Sequence, residues 1–190
     1  MKITLKLPIK SNLIVFGNEN IALFSLFRKS DTTYSIYDVE NKEINLHIFF
    51  VLSFIRNFIL NILELRSFKK YISNIYHLTN INLIKPKTII TNIDNNTIFH
   101  WISKKTKKSK CIAIQNGLRT RYEFDNYYQN DMKNYYHDIY CALNQHELDN
   151  LVKRGIIINS PKAIGSLRLE MFLESKKIEF KNRYDICLIS

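Results

Sequence analysis

The sequence has no closely spaced pair of cysteines and no long apolar run at its amino terminus. Its three cysteines, Cys111, Cys141 and Cys187, are odd in number and lie inside or beside apolar runs. This pattern does not fit zinc ligands and favours buried, reduced thiols, which are typical of cytoplasmic proteins. Residues 1–6 alternate apolar and polar side chains, so they lack the continuous apolar core of a secretory signal. We therefore expect a cytoplasmic location.

Motifs for metal binding and for nucleic-acid binding are also absent from the sequence. The five histidines show no two-ligand spacing with a carboxylate, so we predict neither a metal site nor a metal cofactor. Acidic residues are outnumbered, with 28 Lys and Arg against 17 Asp and Glu, and the net charge of +11 favours anionic partners. Because no motif for base stacking or groove insertion accompanies this charge, we expect no nucleic-acid partner. The charge also fits the amino-acid usage of an AT-rich genome.

The chain contains enough apolar residues to build one domain of ordinary size. It has 190 residues, of which 46% are apolar. Short β-branched runs alternate with stretches that are long enough to form crossover helices. Strands connected in this way pair in parallel, so the pattern predicts an α/β fold with a Rossmann-like parallel sheet and flanking helices. The predicted strands include residues 12–16, 34–39, 88–90, 111–114, 138–143 and 162–164.

Polar segments directly follow three of these predicted strands. They are residues 92–95, 115–117 and 165–168. The carboxyl ends of parallel strands lie along one edge of a sheet, which is where open α/β folds bind ligands. We therefore predict that the three segments meet at a single cleft.

Residues 44–65 form the most apolar part of the chain, and their length approaches the roughly 20 residues that span a bilayer. Arg56, near the middle, costs about 3 kcal/mol on insertion scales, which favours a buried or half-buried core helix. An interfacial helix on a membrane surface and a true span are the alternatives. The lysines of residues 104–110 have two interpretations. They form either a solvated helix end that complements the helix dipole, or a basic patch that faces anionic lipid headgroups of the inner membrane.

The end of the chain differs in composition from the rest. Residues 176–183 are charged and have the composition of a linker, and residues 184–190 have the pattern of a strong strand. We therefore predict a first domain of residues 1–175, a linker, and then the first strand of a second domain that this chain lacks.

Several of these segments together resemble a known family. The chain is similar to bacterial surface-carbohydrate biosynthesis proteins in residues 91–95, 112–117 and 164–168 and in the terminal run after the linker. The most telling parts are Ile-Gln-Asn-Gly at residues 114–117 and Ile-Gly-Ser-Leu-Arg at residues 164–168. These are capsule or lipopolysaccharide proteins of the glycosyltransferase class with the two-domain GT-B architecture. The similarity corresponds to the amino-terminal half of that family.

The resemblance implies a Rossmann-like domain that takes a glycan or lipid-linked acceptor. A separate or downstream domain would bind the nucleotide-sugar donor, which is a substrate of the complete enzyme, and no cofactor is implied. Sugar transfer by this chain alone is not expected, because the resemblance assigns no residue of this chain to a donor site. The alternative is a non-catalytic, remnant acceptor-binding module that is peripheral at the inner-membrane surface.

Sugar transfer with inversion needs a base to deprotonate the acceptor hydroxyl. Asp94 and Glu147 both lie where a predicted strand passes into a helix, so either is a candidate. Each also has a structural interpretation. Glu147 stands three residues after Asn144, which is the spacing of a capping box, and Asp94 could equally cap the helix that begins near Asn95.

The other candidate residues are predicted to bind substrate. Side-chain amides suit sugar hydroxyls, and Gly117 permits a backbone conformation or a close approach that a side chain would block. Ser166 and Arg168, at a helix amino terminus, form an anion site for phosphate. The alternatives are an ordinary turn at residues 115–117, and a capping serine with a surface arginine. The amide candidates are Asn92, Asn95, Gln115 and Asn116.

Overall fold

The centre of the molecule is a parallel β-sheet. The computed structural model describes residues 2–17, 23, 27, 30–39, 43–61, 68–118 and 135–176. The sheet has six strands, β2 (Leu13–Phe16), β3 (Ser35–Tyr37), β5 (Thr88–Thr91), β6 (Lys110–Ile114), β7 (Tyr136–Ala142) and β8 (Ile157–Ala163). A separate two-stranded parallel sheet joins β1 (Lys2–Thr4) to β4 (Glu43–Asn45). The helices are α1 (Ile48–Asn61), α2 (Phe68–Ile84), α3 (Thr97–Lys105), α4 (Gln145–Lys153) and α5 (Leu167–Lys176). The predicted α/β fold with a parallel sheet and flanking helices is confirmed.

The strand order places a topological switch point inside the sheet, between β2 and β5. The order is β3-β2-β5-β6-β7-β8, and all neighbouring strands are parallel. The chain adds β3 on one side of β2 and adds β5 to β8 in succession on the other side. This is the doubly wound order in which the second strand and the third strand flank the first. In sheets of this order, the connections after the first and third strands run in opposite directions, and ligands bind at the switch point between them.

Successive residues of the central strands pack on opposite faces of the sheet. In β5, Ile89 belongs to the cluster that Phe99 of α3 and Leu148 of α4 cover, whereas Ile90 belongs to the cluster that contains Leu23 and contacts Leu167 of α5. Because side chains alternate along a strand, a strand that is covered on both faces must be apolar at nearly every position. Coverage on both faces explains why these strands are short, continuous apolar runs in the sequence.

The edge strand β8 differs from its predicted form. The sequence suggested a strand at residues 162–164 after a turn or short strand, but one continuous strand runs from Ile157 to Ala163 and pairs with β7 along its length. Most of its residues are exposed. An edge strand receives its pairing from one side and little burial, so it carries the weak apolar pattern that led to the error.

Helix α1 is shorter than the apolar segment that contains it. Its 14 residues span about 21 Å, which is less than the roughly 30 Å hydrocarbon core of a bilayer. Within the part of the chain that the structure describes, no helix has the length and apolarity needed to cross a membrane. Of the residues of α1, all of which are described, Phe50 alone is buried. The helix therefore lies against the domain with one narrow face.

Several predictions fall outside the described residues. Most of the linker, the terminal strand, Cys187 and most of the polar segment before β7 lie there, in residues 119–134 and 177–190. Helix α5 reaches Lys176, one residue beyond the predicted end of the first domain.

Candidate functional site at the carboxyl edge of the sheet

Two of the three predicted polar segments meet at the carboxyl edge of the sheet. The residues after β5 and β6 are in contact, because the Asn116 backbone N–H donates a hydrogen bond to Oδ1 of Asp94 at 3.3 Å. Asp94 is 1% exposed and lies beneath the surface of this edge. The carboxylate is thus held by the neighbouring strand's loop.

A second donor fixes the other oxygen of the same carboxylate. The hydroxyl of Tyr140, a buried residue of β7, donates to Oδ2 of Asp94 at 2.6 Å. The helix-cap interpretation of Asp94 is wrong, since Asn96 is the N-cap of α3. Oδ1 of Asn96 accepts from the backbone N–H groups of Ile98 at 2.9 Å and Phe99 at 3.1 Å. Asp94 instead ties β5 to β6 and β7.

Gln115 and Glu147 form a second buried connection along this edge. Nε2 of Gln115 donates to Oε2 of Glu147 and to the Gly117 carbonyl, each at 2.9 Å. Oε1 of Gln115 accepts from the Leu143 backbone N–H at 3.1 Å. The capping-box interpretation of Glu147 is half right. Its backbone N–H donates to the Asn144 side chain at 2.9 Å, but its carboxylate accepts from Gln115. These contacts join the ends of β6 and β7 to α4.

Asn92 is the buried polar residue of this edge whose hydrogen bonding is incomplete. It directly follows β5 at the switch point and is 8% exposed, yet its Oδ1 has no hydrogen-bond partner among the residues that the structure describes. An unpaired buried amide oxygen costs free energy unless a ligand or solvent supplies a donor. Asn92 therefore marks a place where an added hydroxyl or N–H group would be stabilising.

Gly17 directly follows β2, the strand that pairs with β5. It has a φ of +115°, and a Cβ atom there would lie 2.8 Å from Cδ1 of Ile93. The Gly17 N–H donates to the Tyr37 carbonyl at 3.0 Å, and the Thr91 hydroxyl donates to the Phe16 carbonyl at 2.8 Å. These two hydrogen bonds connect the carboxyl ends of β3, β2 and β5 beside the switch point. A glycine directly after a buried strand was the sequence signal for this position.

The third predicted segment lies on the same edge but farther along it. Ser166 follows β8 and caps α5, with its Oγ accepting from the Leu169 N–H at 3.3 Å, and Arg168 is exposed. Because β8 is two strands from β6 and three from β5, these residues are roughly 10–14 Å from the Asp94 and Asn116 contact. The three segments share one edge, and the first two are directly joined.

The remaining two candidates are at the surface or nearly so. Asn95 is exposed, and Gly117 is half-buried. Gly117 does not have a positive φ, and a Cβ atom there would meet nothing within 4 Å in the part of the chain that the structure describes. The close approach of a substrate to this glycine stays a prediction.

Behind the edge lies a pair of buried histidines that the sequence did not indicate. Nδ1 of His100 and Nε2 of His137 are 2.8 Å apart, and the His100 ring stacks on Tyr135 at a centroid distance of 3.8 Å. Burial lowers the pKa of His137 to about 4, and burial together with the neighbouring His137 lowers the pKa of His100. Both rings are therefore neutral at pH 7. They are 37 residues apart in sequence, so no local spacing reveals the pair.

A third histidine is buried on the same side of the sheet. Nδ1 of His77 lies 2.9 Å from the Tyr37 hydroxyl. Burial lowers the pKa of His77 to about 4 and raises the pKa of Tyr37. In the described ranges, no group of three or more His, Cys, Asp or Glu side chains could hold a metal ion.

The carboxyl edge thus combines a buried carboxylate held by two donors with a buried amide oxygen that lacks one, and both lie beside the switch point. Groups of this kind bind hydroxyl-bearing ligands. Comparison of the chain with protein-family models, with curated proteins and with solved structures finds no match. The chemistry of the site is therefore inferred from the residues themselves.

Proposed function

We propose that this chain is the amino-terminal, acceptor-binding half of a GT-B-type glycosyltransferase that acts in bacterial surface-carbohydrate biosynthesis. The observation that carries the proposal is the unpaired Oδ1 of Asn92 at the switch point, where doubly wound folds bind ligands. A sugar hydroxyl is a donor of suitable size for such an oxygen. The resemblance of residues 114–117 and 164–168 to that family supports the same class of ligand.

In this proposal, Asp94 is the base for the acceptor hydroxyl. Its carboxylate lies two residues after Asn92, and the Tyr140 hydroxyl and the Asn116 N–H hold it in a fixed orientation. Glu147, whose carboxylate accepts from Gln115, would hold the loop after β6 in place. A nucleotide-sugar donor would be a substrate of the complete enzyme.

Binding without catalysis is the second candidate function. Both oxygens of Asp94 already accept hydrogen bonds and the residue is 1% exposed. A base must reach the proton that it removes, so this burial favours an acceptor-binding module in which Asp94 is structural. The two candidates share the binding site and differ in the role of this one carboxylate.

The test compares two buried asparagines that have the same burial. Asn92 and Asn74 are each 8% exposed, and Oδ1 of each lacks a hydrogen-bond partner within the described part of the chain. Asn74 lies on α2, outside the carboxyl edge. We expect the wild-type chain to show saturation-transfer NMR signals with methyl glycosides of glucose, galactose or N-acetylglucosamine. The Asn92→Ala variant should lose these signals, whereas the Asn74→Ala variant should keep them.

Stability provides the control for this experiment. Removing an unpaired buried oxygen also removes its desolvation cost, so neither alanine variant should unfold at a much lower temperature than the wild type. Gln115→Ala, in contrast, should destabilise by about 2–4 kcal/mol, because it leaves the Leu143 N–H and the Glu147 carboxylate without their partner. Equal loss of signal in both asparagine variants, or no signal with any glycoside, would refute the proposed site.

A further inference from the structure

Helix α1 packs one side on the domain and presents a row of large apolar residues to solvent on the other. The Asn57 side chain faces α2, where its Nδ2 donates to the Thr79 hydroxyl at 3.0 Å, and Phe50 packs against Tyr76. The opposite side of the helix carries exposed large apolar residues, which are Ile48, Phe49, Leu52, Ile55, Ile59 and Leu60. A helix that packs on a core carries mainly polar and charged residues on its solvent-facing side, and α1 does not follow this pattern. The core-helix interpretation therefore accounts for one side of α1 only.

The exposed apolar residues continue onto the small sheet that precedes α1. Strand β4 leads directly into the helix, and its partner β1 is tied to it by the Leu46 N–H, which donates to the Thr4 carbonyl at 2.9 Å. The structure gives 19 exposed large apolar side chains among the described residues, and four of these lie in residues 3–9 and eight in residues 44–60. We call residues 3–9 and 44–60 the apolar face. Concentration of this kind marks an interaction surface.

The charged residues of the apolar face, Lys6 and Arg56, are both basic, and the acidic Glu43 lies just outside it in the sequence. Arg56 is exposed within the apolar stripe of α1, and Lys6 and Lys10 are exposed beside β1. Residues 1–18 and α1 contain no Asp or Glu. A surface of this composition is complementary to anionic headgroups that lie above an apolar layer. A symmetric dimer through the same face would bring positive charges of the two copies together, which is unfavourable.

We propose that the apolar face binds the surface of an anionic phospholipid bilayer, with α1 lying in the plane of the interface. The leucine, isoleucine and phenylalanine side chains enter the headgroup boundary, and Arg56 pairs with lipid phosphate. This surface is separate from the Asn92 site, so the two proposals are independent. Binding in this orientation would hold the domain close to lipid-linked molecules.

The test is sedimentation of the full chain with vesicles of two compositions, phosphatidylcholine alone and equal parts of phosphatidylcholine and phosphatidylglycerol. We expect stronger binding to the anionic vesicles. The double variant Leu52→Ser/Ile59→Ser should weaken binding to these vesicles at least about tenfold, because two half-exposed apolar side chains no longer enter the lipid. Arg56→Gln should weaken it about fivefold, which is the effect of removing one basic residue near an anionic surface.

Two control variants separate this face from other surfaces. Leu169 on α5 is 56% exposed and Leu52 is 55% exposed, so Leu169→Ser is a matched change that should leave binding unaltered. Lys107→Gln/Lys108→Gln tests the lysines after α3, which are the alternative contact with headgroups. The proposal is overturned if the wild type does not bind anionic vesicles, or if the lysine variant loses binding while the α1 variant retains it. It is also overturned if the Leu52 and Ile59 changes convert a dimer to a monomer without affecting sedimentation.

Discussion

Acidification should destabilise this protein through its buried histidines. The pKa values of His137 and His77 are lowered to about 4 by burial, whereas a histidine in an unfolded chain has a pKa near 6.5. The unfolded state therefore binds more protons between about pH 6.5 and pH 4. The contribution of the neutral histidines to stability is fully present above this pH range and is lost as the pH falls through it.

The size of the loss follows from the two pKa values. At about pH 5, each of these histidines reduces the free energy of unfolding by about 2 kcal/mol relative to neutral pH. His100 changes in the same direction, because burial and the neighbouring His137 lower its pKa as well. The total of about 4 kcal/mol or more is a large part of the roughly 5–15 kcal/mol that stabilises a typical domain.

Urea unfolding at neutral pH and at about pH 5 measures this effect directly. His77→Gln keeps a polar group beside Tyr37 but does not titrate, so the difference between the two pH values should shrink by about 2 kcal/mol. His146, which is exposed on α4, provides the control, because His146→Gln should leave the difference unchanged. A wild-type difference below about 1 kcal/mol would show that these histidines do not govern acid stability.

Two further pairs of substitutions test the packing of the carboxyl edge, each with a control. Gly17→Ala should destabilise by about 2 kcal/mol in urea unfolding, because φ is +115° and the added methyl group would lie 2.8 Å from a neighbouring side chain. Gly165→Ala, with φ of +82° and open space around it, should cost less, and equal costs would contradict the packing argument. Tyr140→Phe should lower the free energy of unfolding by about 2–3 kcal/mol, because the buried Asp94 carboxylate loses a donor. Tyr136→Phe removes a hydroxyl near the surface and should change stability by less than about 1 kcal/mol.

The sequence was sufficient to predict the class of fold and most of its strands. The apolar runs at β2, β5 and β6 are short, β-branched and bounded by polar residues, so their positions could be assigned within one or two residues. Patterns of this kind are local, and local patterns are what a single sequence contains.

Long-range pairings could not be predicted in the same way. The pairing of β1 with β4 joins residues that are about 41 positions apart, as Lys2 and Glu43 show. The contact between Tyr140 and Asp94 and that between Gln115 and Glu147 depend on strand order, which no spacing encodes. For α1, the apolar segment predicted a helix but did not indicate which side of it faces the protein. The two carboxylates were placed at the right edge, while their partners were not predicted.

The pairing of β2 with β5 has a consequence for how the protein is made. Leu13 pairs with Thr88, which is 75 residues later, whereas Tyr136 pairs with Ile157, which is 21 residues later. Closing the longer loop costs about 1 kcal/mol more in chain entropy. On the ribosome, β2 cannot pair with β5 until those 75 residues have been synthesised, which takes roughly 4–15 seconds. During that interval the nascent chain exposes the kind of apolar segment that chaperones bind.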